Sequence, residues 1–195
     1  MKRCSISLAS VAVLALLLGG VQQARAGTII TTILSGACET TPTSSTALGM
    51  ATFDIHDDHT AIDFHIVFGV NFEGSPPLTT GLVAGHIHVG TPDAAGPVIL
   101  PFPNLPLGTT SGDFFGTLTA ANLTPAGPIM TFEDAIEALE AGNTYTNLHS
   151  QMFPGGEIRG QNPPGTPEPA TLALLGIGVA GMAGYAWRRR KAVTV

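Results

Sequence analysis

Basic residues are nearly absent from the body of this chain. Of its eight Lys and Arg, Lys2, Arg3 and Arg25 lie at one end and Arg188, Arg189, Arg190 and Lys191 at the other, leaving Arg159 alone between them. All fourteen Asp and Glu fall between Glu39 and Glu168, so the segment between the basic ends has a formal charge near minus thirteen with neutral histidines. Such a field excludes nucleic acid and anionic headgroups as partners, because binding them depends on Lys and Arg contacts. It attracts cations or a basic partner, and it also keeps such a segment soluble. Cysteine is scarce too, with only Cys4 and Cys38. Once Cys4 leaves with the N-terminal segment, no intramolecular disulfide is possible, and Cys38 is expected as a small buried core residue. Also missing are a Gly-x-Ser-x-Gly elbow, a phosphate-binding glycine loop and a His-Glu-x-x-His helix. No catalytic residue is therefore assigned, and the chain is not expected to be an enzyme.

The ends are where apolar runs are found. Residues 1–26 combine Lys2 and Arg3, an apolar stretch from Val11 to Leu18, and a small-x-small site at Ala24-Arg25-Ala26. This is the pattern of a secretory signal peptide cut by signal peptidase before Gly27, and the apolar stretch is short of the ~20 residues a span needs. At the other end Pro167-Glu168-Pro169 precedes an apolar run from Ala170 to Trp187 and then the arginine cluster Arg188-Arg189-Arg190. At ~1.5 Å per residue that run just crosses a hydrocarbon core of about 30 Å, with its basic flank cytoplasmic and the preceding domain outside.

Between these ends the composition is that of one compact domain with its own core. Thr28–Leu34, Ala47–Ile55, Ala61–Phe68, Leu78–Val89, Val98–Phe102, Asp113–Leu118, Asn143–Ser150 and Glu157–Gln161 are expected strands, separated by Gly- and Pro-rich turns. In Ala61–Phe68, Ile62, Phe64, Ile66 and Phe68 share one face and Asp63, His65 and Val67 the other. Thr131–Leu139 is the one expected helix, capped by Thr131, with Glu133 and Asp134 at its positive end and Gly142 stopping it. Short strands with one helix indicate an all-β, antiparallel sandwich or barrel, of immunoglobulin-like or superoxide-dismutase-like type.

The chemistry-bearing residues lie in two stretches, Gly85-His86-Ile87-His88-Val89-Gly90 and, some sixty residues later, Asn147-Leu148-His149 with Gly155-Gly156-Glu157-Ile158-Arg159-Gly160. A period of two puts His86 and His88 on one strand face. Two readings stay open. In one, His86, His88 and His149 bind zinc or copper, with Asp93 or Glu157 as an oxygen ligand and an open coordination position. In the other, the same histidines with Asn147, Glu157 and Arg159 form a polar network, Glu157 pairing with Arg159 two residues on or with His149. The turn His56-Asp57-Asp58-His59 also gathers imidazoles and carboxylates, although Asp suits a tight turn for local hydrogen bonding. Asp63 and His65 share a face without an evident nucleophile.

The segments AGHIHVGTPDAAGPV and AGNTYTNLHSQMFPGGEIRGQ resemble the CHRD domain, a module named after chordin, over roughly Ile29 to Gln161. The resemblance implies extracellular binding or adhesion rather than turnover. Cys38 with Thr40-Thr41 departs from the acid and prolines that CHRD domains tend to carry there. The His-x-His strand also resembles that of copper-zinc superoxide dismutase, without its bridging and zinc-ligand pattern. The order Pro-Glu-Pro, apolar helix, arginine cluster resembles the PEP-CTERM sorting signal of Gram-negative bacteria that secrete exopolysaccharide, which implies cutting by an exosortase near Pro167 to Pro169.

The resulting expectation is a signal peptide over 1–26, a CHRD-like β domain over 27–161, a Pro-rich linker and sorting motif over 162–169, a membrane-spanning helix over 170–187 and a basic tail over 188–195. The protein would cross the inner membrane, be anchored there transiently, and end in the envelope, on the outer surface or in the extracellular matrix. There it would play a structural or binding role, with exopolysaccharide or envelope proteins as partners. The alternative is a histidine-ligated zinc or copper protein with redox activity.

Overall fold

The structure is a computed structural model and describes residues 27–167, together with 177–178 and 180–182. The expected signal peptide, Glu168, Pro169, Arg188, Arg189, Arg190 and all but five residues of the expected membrane span lie outside the described residues. Among the described residues, no helix is long and apolar enough to cross a membrane.

In chain order the elements are β1 (Thr28–Ser35), β2 (Leu48–Ile55), β3 (Ala61–Phe68), β4 (Leu82–Val89), β5 (Val98–Pro101), β6 (Gly112–Thr119), α1 (Phe132–Glu140), β7 (Thr144–Ser150), β8 (Ile158–Gln161) and β9 (Thr166–Pro167). They form one antiparallel sheet in the order β5-β4-β7-β8-β1-β2-β3-β6, with β9 beside β1. The sheet curls into a nearly closed barrel. Phe102, just after edge strand β5, packs on Phe114 of the other edge strand β6, with ring centroids 6.3 Å apart.

Alternation decides which side faces in. In β1, Thr28, Ile30, Thr32 and Leu34 are buried while Ile29, Thr31 and Ile33 are exposed. In β3 the row Ile62, Phe64, Ile66 and Phe68 enters the core, as the period of two requires. Phe64 meets Phe102 at 5.0 Å and Phe114 at 5.9 Å, both offset or edge-on, the arrangements ring quadrupoles favour. The helix α1 is held by a capping box, with the Thr131 hydroxyl accepting from Asp134 N and the Asp134 carboxylate accepting from Thr131 N. Its buried stripe of Phe132, Ala135, Ile136 and Leu139 covers the core.

Two local expectations are corrected. Strand β4 begins at Leu82 rather than Leu78, because Leu78 N and Leu82 N donate to the carbonyls of Thr110 and Thr109 in a neighbouring loop. The Pro-rich run after Gln161 is not a free linker. Asn162 is fully buried, its amide bonded to Thr144 and Thr146, Gly165 N donates to Glu140 O, and Thr166 pairs with Ile29.

Candidate metal centre

Strand β7 is buried along its whole length, so both its faces are covered. On the inner face Leu148 joins the core and Thr146 meets Asn162. On the other face Tyr145, Asn147 and His149 alternate along the strand, with β4 on one side and β8 on the other. Register sets Tyr145 opposite His88 and Gln161, Asn147 opposite His86 and Arg159, and His149 opposite Ala84. The pleat therefore gathers residues from three strands into one polar layer. Loop residues Gly96 and Pro154 cap it through hydrogen bonds to His88 and His149.

Within that layer the three histidines converge. Ring centroids are 5.5 Å apart for His86 and His88, 5.1 Å for His86 and His149, and 6.0 Å for His88 and His149. One ring nitrogen from each lies within 4.8 Å of the other two. His88 Nδ1 is 2.9 Å from the Gly96 carbonyl and His149 Nδ1 is 2.9 Å from that of Pro154. A carbonyl only accepts, so both rings carry their proton on Nδ1 and present a lone pair at Nε2. Those two Nε2 atoms and His86 Nδ1 are buried and without a hydrogen-bond partner. Burial pushes all three imidazoles down from their ordinary range, His86 to about 4 with its two neighbours adding to the effect. All three are neutral at pH 7.

One side of this cluster is clamped. The Tyr145 ring lies parallel to His88 at 4.7 Å, and the Arg159 guanidinium carbon sits 3.4 Å from the Tyr145 centroid on the β8 side. Arg159 is 2 % exposed and donates through Nη2 to the carbonyls of Thr91 and Ala94. The Tyr145 hydroxyl accepts from Gly96 N. The loop that covers His88 is thus tied to the stack that fixes the His88 ring.

The expected pairing of Glu157 with Arg159 does not form. Gly156, at φ 130°, turns the chain just before β8, so a period of two does not extend back to Glu157. Fully buried Glu157 instead accepts through Oε1 from Ser45 Oγ at 2.7 Å and Thr79 N at 2.6 Å. Neither it nor Asp93 joins the imidazoles; among the described residues the set that could hold an ion is His86, His88 and His149 alone. Asp93 lines a separate cleft with Glu39, Cys38 and Arg159. Cys38 is exposed, contrary to the expectation of a buried thiol, because the three-residue 3-10 turn Gly36–Cys38 carries it on the surface. In the 56–59 turn, His56 pairs with Asp63 at 3.0 Å and His59 with Glu133 of α1 at 2.8 Å, so its imidazoles serve to fasten the turn. His65 is likewise bonded across the sheet to Asp113 at 2.7 Å.

Tyr145 and Glu39 belong to the polar layer and were not singled out from the sequence. Tyr145 was findable, since it shares the period of two with Asn147 and His149. Glu39 was not, because a loop places it. Its carboxyl is pushed up to about 7, chiefly by burial, against the opposing charge of Arg159 and a hydrogen bond from Asn147. An acid whose folded pKa is raised stabilises the fold below its unfolded value of about 4.5, and that contribution is lost as pH rises through about 7. Relative to wild type, Glu39→Gln should gain roughly 2 kcal/mol between pH 5 and pH 8 in urea denaturation. A constant difference across that range would show that Glu39 is not held protonated.

Fold and site together define an antiparallel β-barrel domain with a largely buried imidazole cluster under two loops of its outer face. The chain belongs to the CHRD domain family, which it matches over residues 30–162. Residues 165–191 match the PEP-CTERM protein-sorting motif. That motif marks an exported chain, anchored transiently in the membrane and processed by an exosortase on the way to the cell envelope or surface. Comparison with curated proteins and with solved structures gives no match.

Proposed function

We propose that the processed domain is a structural and binding protein of the cell envelope or the extracellular polysaccharide matrix, acting by association rather than turnover. The observation that carries this reading is the join between a CHRD domain and a sorting motif that begins at residue 165, three residues after the domain match ends. Thr166–Pro167 is still paired to β1, so cutting just beyond it would release the barrel with almost no tether. The anionic character of the domain supports association through cations or basic partners rather than with phosphate-rich surfaces.

Cell fractionation tests the proposal. In a host with an active exosortase, antibody detection should find the shortened chain in the polysaccharide-bearing outer fraction, and the released domain should bind isolated polysaccharide or envelope material saturably. Recovery of an uncut chain in the inner membrane, or of a free domain that binds neither, would overturn it.

A further inference from the structure

We propose that His86, His88 and His149 form a binding site for one copper or zinc ion, ligated by Nδ1 of His86 and Nε2 of His88 and His149, with a fourth coordination position open. The inference is independent of where the domain is finally deposited.

The cluster is incomplete as a hydrogen-bond network. One nitrogen of each ring lies within 4.8 Å of the other two, and each ring carries one buried nitrogen without a partner, Nδ1 in His86 and Nε2 in His88 and His149. With the other nitrogens of His88 and His149 donating to carbonyls, the atoms of those two rings that face inward are acceptors only. Lone pairs cannot satisfy one another, and each buried polar atom left unpaired keeps its full desolvation penalty. A cation at the centre satisfies all of them at once.

The surroundings are those of a ligand set rather than of loose histidines. A ligating imidazole usually donates its second nitrogen to a carbonyl or carboxylate, which sets the tautomer and aims the lone pair. His88 and His149 do so to Gly96 and Pro154. The Tyr145 and Arg159 stack fixes the His88 plane, and both histidine-bearing strands are internal to the sheet, so the ligands stand on rigid elements. The polar network expected between Arg159 and Glu157 engages other partners and leaves the imidazoles unsatisfied.

The donor set selects the ion. Calcium and magnesium take oxygen ligands, whereas imidazole suits zinc and copper. With neutral ligands the site keeps the full charge of its ion, inside a domain whose net charge is strongly negative. Two nitrogens each ~2.0–2.1 Å from one tetrahedral ion lie about 3.3 Å apart. Binding therefore draws nitrogens now up to 4.8 Å apart closer together. His86 is the ring least enclosed, which places the open position on its side, where a small exogenous ligand or water can enter.

The test uses the full chain, purified without a histidine tag or chelator and offered Cu(II) or Zn(II). Elemental mass spectrometry should find about one ion per chain, and the ion should raise the melting temperature, since ligand at ~100 times Kd adds about 2.7 kcal/mol. His88→Ala and His149→Ala should weaken binding by roughly 100-fold or more, because even changes behind a ligand cost about 10–100-fold. His65→Ala, outside the cluster, should leave it unchanged. A folded chain that takes up neither metal, or whose uptake is indifferent to the two substitutions, overturns the proposal. If those variants do not fold, electron paramagnetic resonance of the Cu(II)-loaded unmutated chain decides. Hyperfine splitting from three imidazole nitrogens supports the site, and oxygen-dominated coordination rejects it.

Discussion

Arg159→Ala should destabilise the domain by about 3 kcal/mol, read as a fall in the urea midpoint without a change in slope. The substitution removes a guanidinium 3.4 Å from the Tyr145 ring, and a desolvated cation–π contact is worth about 2 kcal/mol. It also frees the Thr91 and Ala94 carbonyls, whose donor is at 2.8 and 3.1 Å. Arg159→Lys should recover less than half of the loss, because an ammonium keeps the charge but neither the planar stack nor the fork of donors. Full recovery by lysine would mean that charge alone matters there. The consequence reaches the histidines, since the stack that Arg159 closes is the one that orients His88.

Glu157→Ala should cost about 3–4 kcal/mol, whereas Glu157→Gln should cost under about half of that. The carboxylate accepts from Ser45 Oγ and Thr79 N, tying the 43–45 loop and the segment before β4 to the start of β8. Alanine takes the acceptor from Thr79 N and from the half-buried Ser45 hydroxyl, while glutamine keeps an acceptor oxygen in the same place. Hydrogen exchange provides a local check. The Thr79 amide should lose protection in the alanine variant and largely retain it in the glutamine variant. Equal losses in the two would show that negative charge, rather than the acceptor, is what those donors need.

Much of the fold was legible because period-two alternation is a local property. The hydrophobic row of β3 and the capping of α1 by Thr131 follow from spacing alone, and the observed strands start or end within a residue or two of expectation at most positions. The exceptions are β9, which falls in the expected linker, and β4, where a loop more than twenty residues later takes the hydrogen bonds that a strand would have made. No local pattern contains that competition.

For the candidate site, the sequence determined which residue types were present and that His86 and His88 share a face, because a strand leaves that choice no freedom. It also showed that one strong base, Arg159, remained between the two basic ends. Only the tertiary structure decided the partners. Sheet order put β7 between β4 and β8, which brought His149 beside His86 and set Tyr145 between His88 and Arg159. The turn at Gly156 sent Glu157 to Ser45 and Thr79 instead of Arg159, and a short 3-10 turn left Cys38 in solvent. Spacing along a chain specifies the direction of a side chain relative to its own strand, whereas the atom it meets depends on which distant strand the sheet order places alongside.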